Sequence, residues 1–296
     1  MILQHYKKKF FNSLTKLYPK SEIDSFFLIL IEEYLGFQKT DSIVKSDEKI
    51  PEEKFKLLEN ARKRLQQEEP IQYILGKTTF YGFPFLVTNA VLIPRPETEE
   101  LIEWVISDIS KSKTFKTNIT SIKNSLNKKL TILDIGTGTG CISISLKKHI
   151  PEATIFGIDI CKEALKIAKK NKMINEVDVN FILQDILNPF KLNQQLDIIV
   201  SNPPYVREIE KKEIKNNVLE NEPHLALFVK NTNPLLFYDK IVDFAKVNLN
   251  KNGVLYFEIN QYLSHETMSL LKSKGLKNIQ LKKDFKGNDR MIKASF

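Results

Sequence analysis

The residues best suited to chemistry are Ser201-Asn202-Pro203-Pro204-Tyr205, directly after the apolar run Leu196–Val200. Two successive prolines have no backbone N–H to donate and hold the chain extended, so their carbonyls remain as rigid acceptors. Asn202 adds an amide oxygen and Tyr205 an aromatic face. Such a set suits a planar –NH2 group: its hydrogens find acceptors while the flat substrate packs on the ring. A nitrogen of that kind is a poor nucleophile, because its lone pair is delocalised. Fixing its hydrogens turns the lone pair towards an electrophilic methyl group, so the gain comes from positioning and preorganised dipoles rather than a strong base. The plain alternative is a turn that ends a strand.

Upstream lies a glycine-rich stretch, Leu133-Asp134-Ile135-Gly136-Thr137-Gly138-Thr139-Gly140, after an apolar run and before a helical pattern. Glycines at a strand-to-helix turn let a ligand approach the backbone, and the helix start offers free N–H groups. No Gly-Lys-Ser/Thr follows, which excludes a P-loop. The dinucleotide spacing fails as well, because Cys141 stands three positions after Gly138. Asp134, before the first glycine, would repel a pyrophosphate but accept a hydrogen bond from a cationic amino-acid ligand. An ordinary tight turn is the alternative. Asp159 ends the next apolar run, where an acid accepts ribose hydroxyls in such folds; it could equally cap the helix expected over 162–171. Asp185 follows the run Asn180–Leu183, with Gln184 and Ile186 beside it. Asp185 could contact a ligand, with Ile186 adding an apolar face, or it could cap a helix or a loop.

The elements that must position these residues are legible in outline. Leu3, Tyr6, Phe10 and Leu14 recur at helical spacing. Two further helices are expected, from Ser21 to about Tyr34 and from Pro51 to Glu69, each with acids in its first turn. Residues 77–89 carry two short β-prone runs around Gly82, a hairpin or bulge, and a helix follows from Pro96 to about Ser110. Residues 111–129 hold six Lys and no acid and read as a solvated insert. From Leu130, apolar runs at 130–135, 154–158, 180–183, 196–200 and 253–258 alternate with helical patterns at 140–149, 162–171, 234–249 and 264–273. That alternation implies an α/β fold whose parallel sheet is covered on both faces. Runs at 278–283 and 290–294 would close the sheet as a terminal hairpin.

Composition excludes other classes. The longest apolar run, Phe26–Ile31, falls far short of the ~20 residues that span a bilayer, so no membrane association is expected. The N-terminal MILQHYKKKFF has no apolar stretch after its Lys cluster, so no signal peptide is expected. Two cysteines without C-x-x-C spacing suit a reduced, cytoplasmic protein. They read as packing residues. Four scattered histidines suggest no metal site. A net charge of +9 first points to nucleic acid, but only five of the 45 basic residues are Arg, the residue preferred for bidentate phosphate and base contacts. Segments 111–130 and 270–296 each carry +6, leaving −3 for the remainder. The positive charge is local, and no direct sequence-specific nucleic-acid binding is expected.

The glycine stretch resembles motif I of S-adenosylmethionine-dependent methyltransferases. Asn-Pro-Pro-Tyr downstream of it is shared by amino-group methyltransferases acting on adenine N6, cytosine N4 and glutamine N5. Upstream segments narrow the choice: Glu69-Pro70-Ile71-Gln72-Tyr73-Ile74-Leu75-Gly76, Phe80-Tyr81-Gly82 and Ile93-Pro94-Arg95-Pro96-Glu97-Thr98-Glu99-Glu100-Leu101. With Glu222-Pro223, Phe257-Glu258-Ile259 and Asp289-Arg290, they resemble the peptide-chain release factor glutamine N5-methyltransferases. Enzymes that methylate a ribosomal-protein glutamine usually carry Arg-Ser-Pro where this chain has Arg95-Pro96-Glu97.

The resemblance implies a helical N-terminal domain (1–72), a β-hairpin linker (73–92) and a Rossmann-like class I methyltransferase domain (93–296) with a mostly parallel seven-stranded sheet. It implies S-adenosylmethionine held by Asp134, Gly136, Thr137, Gly138, Thr139, Gly140, Asp159, Asp185, Ile186 and Asn202. The substrate implied is the Gly-Gly-Gln glutamine of class 1 release factors, held by Asn202, Pro203, Pro204 and Tyr205. The rival reading is a DNA or RNA adenine N6-methyltransferase, which needs a basic recognition element; residues 1–90 carry only +2 and show no stripe. Arg95 is expected in an ion pair with Glu97 or Glu99, or reaching cofactor or substrate. Arg207 is expected solvated or at the substrate loop.

Overall fold

The computed structural model describes residues 1–111 and 129–296, so the Lys-rich segment lies outside the described residues except at its two ends. The chain divides into two compact units, Met1–Leu75 with Lys215–Asn221, and Gly76–Ile214 with Glu222–Phe296.

The first unit is helical. Helix Leu3–Leu14 buries the stripe Leu3, Tyr6, Phe10 and Leu14 against Ile23, Phe27, Leu30 and Ile31 of helix Lys20–Leu35 and against Leu58, Ala61 and Leu65 of helix Glu52–Leu65. The Tyr6 hydroxyl donates to the Leu58 carbonyl at 2.8 Å, which satisfies the one polar atom that this ring takes into the core. The third helix stops at Leu65 rather than Glu69. Glu68 turns left-handed (φ 57°), and Arg64 ties the exit together through Glu69 (2.5 and 2.6 Å) and the carbonyls of Tyr73 and Ile74 (both 3.2 Å). A short helix, Ile71–Leu75, then packs Ile71 and Ile74 into the same core. Residues 215–221 join this unit through the Asn221 side chain, which donates to the Glu68 carbonyl at 3.3 Å.

In the second unit, strands β1 (Lys77–Phe80) and β2 (Phe83–Leu86) form the expected hairpin. Tyr81 and Gly82 both take positive φ (50° and 78°), the backbone of a two-residue turn that matches strand twist. Tyr81 is held there by Glu99, which accepts its N–H at 2.7 Å, and by Glu103, which accepts its hydroxyl at 2.5 Å.

A seven-stranded sheet follows, built from β3 (Thr131–Ile135), β4 (Thr154–Asp159), β5 (Asn180–Leu183), β6 (Leu196–Ser201), β9 (Leu249–Glu258), β10 (Lys277–Lys283) and β11 (Asp289–Ser295). Its order is β10-β11-β9-β6-β3-β4-β5, and only β11 runs against the direction of the other six. β3 is buried at every position, as a central parallel strand must be. Helices Pro96–Lys111 and Cys141–His149 cover one face; Leu236–Asn248 and Ser264–Ser273 cover the other. β9 begins at Leu249, ahead of the expected Gly253, with an irregular register opposite Leu196–Ile198. A parallel pair, β7 (Val206–Arg207) and β8 (Phe228–Val229), has no counterpart in the sequence reading.

Gly157 lies where β4 passes beneath the glycine loop. A Cβ there would sit 2.8 Å from both the Phe181 ring and Thr137 Oγ1. Gly157→Ala should therefore destabilise the protein by about 1–3 kcal/mol through overpacking. Urea denaturation measures it, and an unchanged midpoint would show that Phe181 and Thr137 yield freely.

Candidate active site

The strand order reverses between β4 and β6 on either side of β3, and ligands in open α/β sheets bind at such a switch point, beyond the carboxyl ends of the strands. A crevice opens there. Its lining includes Gly136 and Gly138 after β3, Asp159 at the end of β4, Gln184, Asp185 and Ile186 after β5, and Asn202, Pro203 and Pro204 after β6. Four separate sequence motifs thus meet in one place.

The glycine loop is held from below. The Gly136 and Thr137 N–H groups both donate to the Ile158 carbonyl at 2.9 Å. Gly140 is left-handed (φ 80°), and a Cβ on it would stand 2.9 Å from the Phe181 ring. Asp134, Thr137, Thr139 and Gly140 do not line the crevice. Asp134 is fully buried and organises the loop instead: its Oδ2 accepts from the Thr137 hydroxyl (2.6 Å), the Ser143 hydroxyl (2.7 Å) and the Ser143 N–H (3.2 Å). Its Oδ1 is buried with no hydrogen-bond partner. That spare acceptor fits an ammonium-bearing ligand. Burial pushes the Asp134 carboxyl up to about 6, against the pull of its three donors.

Asp159 accepts the Gly138 N–H on Oδ2 and the Cys161 N–H on Oδ1, both at 2.8 Å. Each oxygen keeps a lone pair for a ribose hydroxyl. Burial raises its carboxyl above the usual range. The cap of the following helix is not Asp159 but Cys161, whose sulfur accepts the Ala164 N–H at 3.5 Å. Cys161 also lines the crevice. Asp185 lines the crevice, and its carboxylate closes a turn by accepting from the Leu187 N–H (2.9 Å) and the Asn188 side chain (3.0 Å).

At Asn-Pro-Pro-Tyr, Asn202 and both prolines line the crevice, but Tyr205 does not. The expected aromatic platform is turned away. The Tyr205 ring packs against the core layer under the sheet, and its hydroxyl donates to Glu258 Oε1 at 2.9 Å. Burial, then the charge of Glu258, raises its phenol well above the usual range. Two residues without an assigned role in the sequence reading stand behind the motif. Glu258 is 1% exposed and accepts the Thr98 hydroxyl on Oε2 at 2.6 Å; Thr98 in turn accepts from Asn202 Nδ2 at 3.2 Å. Burial raises the Glu258 carboxyl, opposed by these hydroxyls and by Arg290.

Arg95 pairs with neither Glu97 nor Glu99. It reaches Glu222 at 2.5 Å, and Glu222 also accepts the Ile93 N–H at 3.3 Å. Arg207 is half-buried, and both its guanidinium and its N–H bond Glu210 (2.6–3.0 Å). Among the described residues no group of His, Cys, Asp and Glu is placed to hold a metal ion, and no helix is long and apolar enough to cross a membrane.

The fold and the crevice define a methyltransferase of the Rossmann-like class. The family model for the methyltransferase small domain matches residues 119–227, and that for the PrmC N-terminal domain matches residues 9–76. The chain is 50% identical to the release factor glutamine methyltransferase of Flavobacterium psychrophilum over 100% of both chains, and 38% identical to that of Bacteroides thetaiotaomicron over 96% of each. It belongs to the release factor glutamine methyltransferase family. Among solved structures, the catalytic domain of hMettl16, in complex with an MAT2A 3′UTR hairpin, shares the fold. Its TM-score is 0.51 at 15% identity, over 73% of this chain and 76% of that one.

The raised Asp134 carboxyl makes a testable statement about stability. Because its folded value (about 6) exceeds its ordinary one (3.8), its contribution is present below about pH 4 and is lost as pH rises through 6. On the order of 3 kcal/mol is at stake for this buried group. Asp134→Asn should remove that part of the slope between pH 4 and 7. Identical slopes for variant and wild type in denaturation at each pH would refute this.

Proposed function

We propose that this protein binds S-adenosylmethionine in the crevice and transfers its methyl group to the side-chain amide N5 of a glutamine in a release factor. The target is the glutamine of the Gly-Gly-Gln loop of class 1 factors. One observation carries the reading: Asn202-Pro203-Pro204 shares a single crevice with Gly136, Gly138 and Asp159 in a chain of this family. Residues 93–296 would perform the chemistry, with residues 1–72 as a separate helical domain joined through 73–92.

The cofactor supplies an electrophilic methyl group on a sulfonium. Gly136 and Gly138 admit it to the backbone, Asp159 offers lone pairs to its ribose, and Ile186 an apolar face to its base. Asp134 holds the glycine loop in shape beneath it through Thr137 and Ser143. Asn202 and the proline carbonyls accept the two hydrogens of the glutamine –NH2. The prolines bring no backbone N–H that would compete for those acceptors. Orientation makes the delocalised lone pair available, and no strong base is required. Both cysteines are free thiols, which suits a reduced cytoplasm, where translation terminates.

Asn202→Ala should lower methyl transfer to a release factor by at least about a hundredfold while leaving cofactor affinity within a few-fold, because the lost acceptor serves the reacting nitrogen. The assay follows labelled methyl into purified release factor and maps the modified residue by mass spectrometry. Label entering DNA but not release factor would overturn the reading in favour of an adenine methyltransferase.

A further inference from the structure

We propose that Thr98, fixed by Glu258, sets the direction of the Asn202 side-chain amide and so makes the site select a glutamine amide over a glutamate carboxylate. The inference rests on the reading of Asn202 as an acceptor of the substrate –NH2.

An asparagine amide can be turned by half a rotation with little change of shape, which exchanges acceptor for donor. Something must choose between the two. Thr98, 2% exposed, has one hydroxyl proton. Its oxygen lies 2.6 Å from Glu258 Oε2, a separation typical of a hydroxyl donating to a carboxylate. With Tyr205 donating to Oε1 and Thr98 to Oε2, Glu258 accepts at both oxygens, so the Thr98 proton points to Glu258 and leaves only lone pairs towards Asn202. The neighbour at 3.2 Å must then be the Asn202 –NH2. The turned amide would set oxygen against oxygen with no proton between them.

Glu258 is itself constrained. Tyr205 donates to its second oxygen at 2.9 Å, its carbonyl accepts the Tyr238 hydroxyl at 3.0 Å, and its backbone pairs with Met291 of β11. The chain of donors therefore runs in one direction, from Asn202 to Thr98 to Glu258. It leaves Asn202 Oδ1 for the crevice. A glutamine offers that oxygen a hydrogen; an ionised glutamate offers another acceptor, which a site of this polarity rejects. Thr98 is a positioning residue: it acts through Asn202.

Thr98→Val keeps the side-chain shape and removes the hydroxyl; Thr98→Ser keeps the hydroxyl. Glu258→Gln, of equal size, removes the obligate acceptor. Two readouts apply: equilibrium binding of a Gly-Gly-Gln loop peptide against its Gly-Gly-Glu counterpart, and kcat for release factor methylation. Wild type and Thr98→Ser should favour the glutamine peptide by at least about tenfold. Thr98→Val and Glu258→Gln should lose most of that preference, and kcat should fall by roughly tenfold, with cofactor affinity unchanged. Thr98→Ser behaving like Thr98→Val would point to packing by the methyl group and overturn the proposal. So would either Thr98→Val or Glu258→Gln retaining the full preference, which keeps the test valid if one of them does not fold. A wild-type protein that methylates no release factor would instead sink the underlying reading, so the two failures are distinguishable.

Discussion

Strands β3 and β6 lie side by side, yet the helices that follow them cover opposite faces of the sheet. The chain must part beyond their carboxyl ends, and the gap it leaves is the constraint on which the site depends. The glycine loop leaves β3 on one side of the gap and Asn-Pro-Pro-Tyr leaves β6 on the other. Ser201 Oγ donates to the Ile135 carbonyl at 2.7 Å, pinning the two exits to each other just where they diverge. The distance between the glycine loop and Asn-Pro-Pro-Tyr is thus set by sheet geometry, and neither loop has to find its place alone.

A crevice made of backbone turns needs rigid support, and the protein supplies it with buried polar groups. Asp134 gathers three donors under the glycine loop, and Glu258 gathers two hydroxyls behind Asn202. Asn171 ties the Leu86 backbone in both directions and takes the Thr139 carbonyl as well, so one side chain links hairpin, helix and loop. Each such group would cost free energy if left unpaired in the interior. Their hydrogen-bond demands can be met in very few arrangements, which turns an energetic liability into positional accuracy.

The same physics explains what could be read from the sequence. Strand–helix alternation, the glycine loop and Asn-Pro-Pro-Tyr are local patterns, and they locate the sheet and most of the crevice lining. Pairings across the sheet are not local. Arg95 finds Glu222 rather than its neighbours Glu97 and Glu99, because the helix that starts at Pro96 carries those acids towards Lys286 and the Tyr81 turn. Tyr205 turns to a carboxylate 53 positions away and does not line the crevice. A signal for the missed residues did exist. Thr98 lies on the buried stripe that continues through Leu101, Ile102, Val105 and Ile109, and Glu258 ends the apolar run Val254–Phe257 of β9. A polar residue in the middle of a core-facing pattern asks for a partner. Naming the partner requires the fold.

The charge balance gains a structural meaning from the same pairings. All five arginines lie within 3.1 Å of a carboxylate oxygen: Arg62 with Glu59, Arg64 with Glu69, Arg95 with Glu222, Arg207 with Glu210 and Arg290 with Asp284. A protein that reads bases or clamps phosphates needs guanidinium forks facing outward. Here the forks are taken up by carboxylates and brace the turns around 69, 95, 207 and 290, two of which adjoin Asn-Pro-Pro-Tyr or the strand that carries Glu258. What the chain leaves for long-range attraction is lysine, a mobile point charge suited to loose steering rather than to selection. In the proposed reaction, selection falls instead to the uncharged acceptors of Asn202 and the two prolines, whose discrimination comes from the direction of hydrogen bonds, not from net charge.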